Sequence, residues 1–359
     1  MFLEELSLTN YKNFESIKFN FDTKIVCFVG LNGVGKTNIL DSIYHLSYTK
    51  SYFNPIPSQN IKHGETFFFI SGAYRINNKE EKILVSLKKG EKKIIKRNNK
   101  IYKKFSDHIG AIPLVIISPD DRNLIIEGSE TRRKFIDGII CQTNKEYLNT
   151  LIDYNKTLKQ RNALLKMFYN DSENIKKTID IYDNHLSSNA QKIYERRTEF
   201  LSDFIPIFKI RYKQLSDDKE NVEIIHKTDI SESQSLYKLL KNNLEKDLRF
   251  QFTTKGIHKD DLTFSINSFS VKKYGSQGQQ KTFLIALKLA QFDYLSKLNS
   301  NPILLLDDIF DKLDDNRVKQ IINLVNEEKF NQIFISDTNK IRSENIIKKV
   351  NKSYKIFEI

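Results

Sequence analysis

Apolar and polar positions change period several times along the chain, and each change marks an element. Phe2-Leu3-Glu4-Glu5-Leu6-Ser7-Leu8 and Ile17-Lys18-Phe19-Asn20-Phe21 alternate, which predicts two strands of a hairpin or meander joined through Asn10–Phe14. Ile25-Val26-Cys27-Phe28-Val29 is a short continuous apolar run, the pattern of a buried strand. From Thr37 to Leu46 the apolar residues move to helical spacing. Strand character returns at Phe67–Ile70, Ile83–Leu87 and Leu114–Ile117. After Ser118-Pro119 the texture changes, and Ser129 to about Phe208 is helical with almost no Gly or Pro. Leu151, Leu158 and Leu165 are seven apart, as are Ile179, Leu186, Ile193 and Phe200, so two long helices with an apolar seam are expected to form an antiparallel hairpin turning near Asn170–Glu173. Residues 211–247 are polar and weakly periodic, and read as a helical return or a loose connector. A strand is expected at Leu262–Ile266, a helix at Phe283–Leu298, and further buried strands at Ile303–Leu306 and Ile333–Asp337.

Candidate chemistry sits where these periods switch. Between the buried strand and the first helix lies Gly30-Leu31-Asn32-Gly33-Val34-Gly35-Lys36-Thr37, which fits the phosphate-loop pattern G-x-x-x-x-G-K-[ST]. Its glycines let backbone N–H groups approach phosphates, and the following helix N-terminus favours the anion. Lys36 is expected to reach the β- and γ-phosphates of ATP, and the Thr37 hydroxyl to ligate Mg²⁺, with Asn38 completing the cradle. The aliphatic run Ile303–Leu306 ends in Asp307-Asp308. In a phosphate-loop ATPase the first carboxylate, Asp307, holds Mg²⁺ through its water shell, and the second, Asp308, polarises the attacking water.

Composition alters the picture in three ways. No apolar stretch is long enough to span a bilayer, and Met1-Phe2-Leu3-Glu4-Glu5-Leu6 has no basic n-region, so neither membrane attachment nor a signal peptide is expected. Two cysteines, Cys27 and Cys141, exclude a Cys-x-x-Cys zinc hook and favour a reducing cytoplasm. The net charge of +13 points to a polyanionic partner such as DNA, although an AT-biased genome would also enrich Lys, Asn and Ile. The stretch after Leu87 gathers Lys92, Lys93, Lys96 and Arg97 among further lysines, with Glu91 its sole acid up to Lys104. It forms either a phosphate-contacting ribbon or a solvated hairpin. Arg132 and Arg133 open a predicted helix and suit either DNA or structural ion pairs. His258 beside Asp260 and Asp261 lacks the second His of a metal site, which favours a packing role.

Three motifs and one long helical insertion then stand in a definite order: phosphate loop, insertion, Tyr274–Gln280, acidic strand. Tyr274-Gly275-Ser276-Gln277-Gly278-Gln279-Gln280 resembles the signature loop of ABC-type ATPases, and Asp311-Lys312-Leu313-Asp314 resembles the loop after their acidic strand. The plan is similar to the heads of the structural maintenance of chromosomes family. A narrower resemblance, to the RecF family of bacterial recombination mediators, is carried by Leu8–Phe14, Ser118–Asp121, Glu127–Asp137, Tyr154–Leu165, Gly256–Leu262 and Gly275–Gln280. Lys12 stands where that family usually has Arg near the nucleotide base, Ile257 replaces a usual Pro and Lys259 a usual Arg. Asp308 follows the RecF habit where most ABC ATPases have Glu.

The resemblance implies an α/β fold: an ABC-type ATPase head with a mixed sheet around the phosphate-loop core, residues 1–118 and 248–359, and an inserted all-α helical lobe, 119–247. It implies a homodimer formed on ATP, with Ser276, Gly278 and Gln279 of one protomer facing the nucleotide of the other. Further implications are slow ATP hydrolysis, DNA binding at gaps or single-strand/double-strand junctions, recombinase loading with RecR and RecO, and a part in the SOS response. The motifs alone also admit an ATPase subunit of a transporter or nuclease assembly, or a scaffold that ATP locks without productive hydrolysis.

Overall fold

The computed structural model describes residues 1–168, 172–216, 220–231, 234–298, 302–308, 332–350 and 353–359, with the backbone alone at 172–177 and 349–350. It contains two compact units, residues 1–121 with 285–359, and residues 122–284.

The first unit is built on two sheets. Strands β1 (Phe2–Tyr11) and β2 (Phe14–Asn20) form the expected hairpin, closed at the Tyr11–Phe14 pair. With β4 (Phe67–Ile76), β5 (Lys79–Lys88), β6 (Ile94–Arg97) and β7 (Lys100–Ile101) they make an antiparallel sheet in the order β2-β1-β4-β5-β6-β7. The second sheet is parallel, in the order β14-β3-β13-β12-β8, from β3 (Ile25–Val29), β8 (Leu114–Ile117), β12 (Ile303–Asp307), β13 (Ile333–Asp337) and β14 (Tyr354–Glu358). Four of these strands, β3, β8, β12 and β13, are buried at every position, which explains their apolar runs, broken only by Asp307 at the end of β12 and by Ser336 and Asp337 at the end of β13. Helix α1 (Lys36–Tyr48) places Ile39, Leu40, Ile43 and Leu46 in the core that both sheets share. Each such side chain contributes roughly 1.5–3 kcal/mol of burial. The sheets are also tied by a buried amide: Gln332 Oε1 accepts from Leu3 N at 2.7 Å and Nε2 donates to Leu3 O at 2.9 Å.

In the second unit, α2 (Ser129–Thr143) leads into the expected hairpin of α3 (Lys145–Met167) and α4 (Ser172–Ser216). Ile179, Leu186, Ile193 and Phe200 are all buried, as the heptad spacing requires. The 211–247 stretch resolves into β9 (Val222–Lys227), α5 (Leu236–Asn242) and α6 (Leu244–Phe250). β9 pairs antiparallel with β10 (Asp261–Ile266), which pairs with β11 (Phe269–Ser270), so a small sheet accompanies the helices. That pairing is why residues 248–284 pack with the second unit although the motif order alone grouped them with the head. Helix α7 (Gln277–Lys297) runs from the second unit into the first. Among the described residues, no helix is long and apolar enough to cross a membrane.

Candidate functional site

The phosphate loop follows β3 and opens α1, as its motif demands. Gly35 is the N-cap residue with φ of 115°, a left-handed backbone that disfavours a Cβ. A Cβ there would also lie 2.4 Å from Asn13 Nδ2. Gly30 is needed for close approach, since its Cβ would stand 2.6 Å from the Ile359 carbonyl oxygen. Lys36 is 7% exposed and folds back across the loop, its Nζ donating to the Gly30 and Leu31 carbonyls at 2.9 Å each. Asn13, from the β1–β2 turn, braces the loop from outside: its Nδ2 donates to Val34 O at 2.8 Å, and its Oδ1 accepts from Asn38 Nδ2 at 2.8 Å.

The acidic strand meets this loop through the hydrogen bond from Thr37 Oγ1 to Asp307 Oδ1 at 2.9 Å, between residues 270 positions apart. Ser336, at the end of the neighbouring β13, donates its hydroxyl to the same Asp307 oxygen at 2.7 Å and accepts from Asp308 N at 2.9 Å. Burial pushes the Asp307 carboxyl above its ordinary range, against the bonds from Ser336 and Thr37 that pull it back. A bound divalent cation would offset that burial, so the Thr37–Asp307 pair suits the metal the motif implies. Asp308 has a left-handed φ of 49°, a conformation Asp tolerates better than most residues. A cavity of about 220 Å³ is lined by Asn32, Gly33, Gly35, Lys36, Thr37, Asn38, Asp308 and Ser336.

The pairing of phosphate loop and acidic strand fits what comparison with known proteins finds. A family model described as an AAA domain matches residues 5–233. A DNA replication and repair protein RecF from Flavobacterium johnsoniae is 55% identical over 360 residues, covering all of both chains. The chain belongs to the RecF family. A solved structure of the recombination mediator protein RecF-ATPrS in the RecFOR pathway superposes with a TM-score of 0.88 at 31% identity, covering 100% of this chain and 96% of the other. An Smc head bound to the C-terminal winged-helix domain of ScpA gives a TM-score of 0.57 at 15% identity over 96% and 92% of the two chains, a likeness of fold. The fold is therefore the expected ABC-type ATPase head with a helical lobe.

The remaining candidate residues fall into different surroundings. Lys12, assigned to the nucleotide by resemblance to the family, has its Nζ 2.6 Å from Asp41 Oδ2 and lies over the Tyr11 and Phe53 rings. Asp41 is fully buried and also accepts from Tyr11 Oη, Ser51 Oγ and Tyr52 N. Arg132 forks onto Asp261 (2.7 and 3.1 Å) and donates to the Leu124 and Glu127 carbonyls, while Arg133 donates to the Asp260 carbonyl. These bonds favour the structural alternative for both arginines. His258 likewise packs, bonded to Tyr154 Oη and Thr253 O, and burial lowers its pKa to about 4. In the basic ribbon, Arg97 forks onto Glu81 and Lys93 reaches the Thr49 carbonyl, whereas Lys92 is exposed and Lys96 half-buried. Ser276 is exposed and heads α7 with a reciprocal capping box: Gln279 N donates to Ser276 Oγ at 3.2 Å, and Ser276 N donates to Gln279 Oε1 at 2.8 Å. Gln279 Nε2 also donates to Glu220 Oε1 at 2.6 Å, and Gly278 O accepts from Thr282 Oγ1. Asp311–Asp314 lies outside the described residues. Sequence reasoning passed over Asn13 and Ser336, whose roles exist only once the β1–β2 turn meets the loop and β13 meets the acidic strand.

Proposed function

We propose that this chain is an ATP-dependent, dimerising DNA-binding protein that acts at single-strand gaps and junctions in replication and repair. The observation that carries this reading is the Thr37–Asp307 hydrogen bond, which joins the phosphate loop to the acidic strand. ATP would lie along Gly30–Asn38, with Lys36 turning from the Gly30 and Leu31 carbonyls to the phosphates. Mg²⁺ would be held by Thr37 and, through water, by Asp307. Asp308 would act as the base for slow hydrolysis. Ser276, Gly278 and Gln279 would close the nucleotide of a second protomer, giving an isologous dimer with ATP in its interface. The exposed lysines of the β5–β7 ribbon would contribute phosphate contacts without sequence preference. Support for recombinase loading alongside RecR and RecO, and for SOS induction, comes from membership of the RecF family.

The test is ATP binding, ATP turnover and binding to gapped, duplex and single-stranded oligonucleotides, for the parent chain, Lys36→Ala and Asp308→Asn. Lys36→Ala is expected to lose ATP-dependent DNA binding while keeping its fold. Asp308→Asn is expected to bind ATP and hold DNA longer, with turnover lower by on the order of 10²–10⁴. ATP-dependent DNA binding retained in Lys36→Ala, or unchanged turnover in Asp308→Asn, would refute the assignment.

A further inference from the structure

Phe250 and Phe252 are among the exposed aromatic residues of the second unit, and the local fold explains why they are not in its core. α6 buries Leu248 and packs Leu244, one turn earlier, against Leu165 and Ile179 of the hairpin. Phe250 lies two residues beyond Leu248, on the opposite side of the helix. The helix stops there, because Gln251 adopts a left-handed φ of 58°. The reversal brings Phe252 beside Phe250, with ring centroids 5.8 Å apart and planes inclined by 38°. In a continuing helix, residues two apart would diverge. The rings remain 46% and 41% exposed.

The base under them is fixed on both sides. Asp247 is fully buried, accepts from Arg161 at 2.7 Å, and accepts from Thr254 N and Oγ1. Thr253 is 2% exposed, accepts from Arg161 at 2.9 Å, and donates twice to Asn162 Oδ1. A cation lies over one face of each ring: Arg249 is 5.1 Å from the Phe250 centroid and Lys259 4.9 Å from that of Phe252. Lys246 is exposed on the same helix, where Glu245 is the exposed acid, and Lys255 faces Asp229.

We propose that Phe250 and Phe252 form a stacking platform for unpaired bases of single-stranded nucleic acid, with Arg249 and Lys259 meeting its phosphates. A preorganised pair of rings, each with its cation, matches a chain of flat faces joined by anionic links. A duplex keeps its base faces stacked on one another and offers the rings no free face. An acidic peptide would satisfy the cations and leave the rings unused. The platform rests on residues separate from the phosphate loop, so it stands or falls independently of the ATP assignment.

The chain has no tryptophan, so Phe252→Trp in the full chain creates a unique fluorescent reporter. Oligo(dT) is expected to quench it, whereas blunt duplex of equal charge and poly-glutamate are not. The double variant Phe250→Leu/Phe252→Leu keeps apolar bulk and charge but removes the stacking faces. It is expected to weaken single-strand affinity about tenfold or more while leaving duplex binding and the salt dependence as in the parent. Equal quenching by poly-glutamate or duplex, unchanged single-strand affinity in the leucine pair, or an equal loss of duplex binding would each overturn the proposal. ATP-dependent dimerisation of the leucine pair, measured alongside, separates failure of the platform from failure of the nucleotide site.

Discussion

A single asparagine outside the phosphate-loop motif holds the loop in shape. Asn13 gives one hydrogen bond to the Val34 carbonyl and takes one from Asn38, and Gly35 must be glycine partly to leave it room. A net hydrogen bond contributes about 1 kcal/mol, so losing both should weaken ATP binding by roughly five- to thirtyfold. Asn13→Ala is therefore expected to raise the Kd for ATP, by calorimetry, with the thermal midpoint nearly unchanged, because Asn13 is exposed. A large fall in midpoint with intact affinity would instead make Asn13 a fold residue. The loop itself was legible in sequence because its function is contiguous. Asn13 and Ser336 were not, because the β1–β2 turn reaches the loop, and the end of β13 reaches Asp307 and Asp308, only once the sheets have formed. Arg132 and Arg133 illustrate the same limit: their sequence admits DNA or ion pairs, and the fold brings Arg132 to the Asp261 carboxylate and Arg133 to the Asp260 carbonyl.

At the scale of elements, the α3–α4 hairpin carries charge inside its seam. Between the buried Ile179, Leu186, Ile193 and Phe200 come Asp183, Ala190 and Arg197, and Phe204 follows, all buried as well. The seam thus has a full four-three spacing, but two charged members hide it from a reading of apolar periodicity. Asp183 accepts from the fully buried Arg161 at 2.6 Å, and Arg197 is shared between Asp137 and Asp260. Arg161→Leu leaves Asp183 and Asp247 buried without their partner and should cost on the order of 3–5 kcal/mol in urea unfolding. Adding Asp183→Leu should recover part of that loss, as expected for residues of one network. A neutral Arg161→Leu would show that the seam relaxes to admit water. β9 also escaped the sequence. Val222-Glu223-Ile224-Ile225-His226-Lys227 alternates only weakly, and its strand character comes from pairing with β10.

At the scale of the whole molecule, buried histidines link stability to pH. Burial lowers His45 to about 3 and His258 to about 4, and moves His108 in the same direction. In the unfolded chain each takes up a proton near pH 6.5, while in the folded chain His45 and His258 do so only near 3 and 4. The unfolded state therefore binds more protons between these limits, and stability present above about pH 6.5 is lost as pH falls, by up to about 1.4 kcal/mol per unit for each histidine. Unfolding free energy measured at pH 7 and pH 5 should fall accordingly, and His258→Gln should remove about one proton from the slope. Stability independent of pH over that interval would contradict these burials.

In the proposed assembly, ATP held by the phosphate loop of one copy would be completed by the signature loop of another. Ser276 caps its own 21-residue helix yet remains exposed, so its hydroxyl would be open to an anion from outside the chain. Light scattering of the parent chain and Ser276→Arg, each with and without ATP and Mg²⁺, tests this most directly when paired with a nucleotide-binding assay. The parent is expected to double in mass on ATP, and Ser276→Arg to bind ATP with unchanged affinity yet remain a monomer. A Ser276→Arg chain that still doubles in mass on ATP would contradict the account.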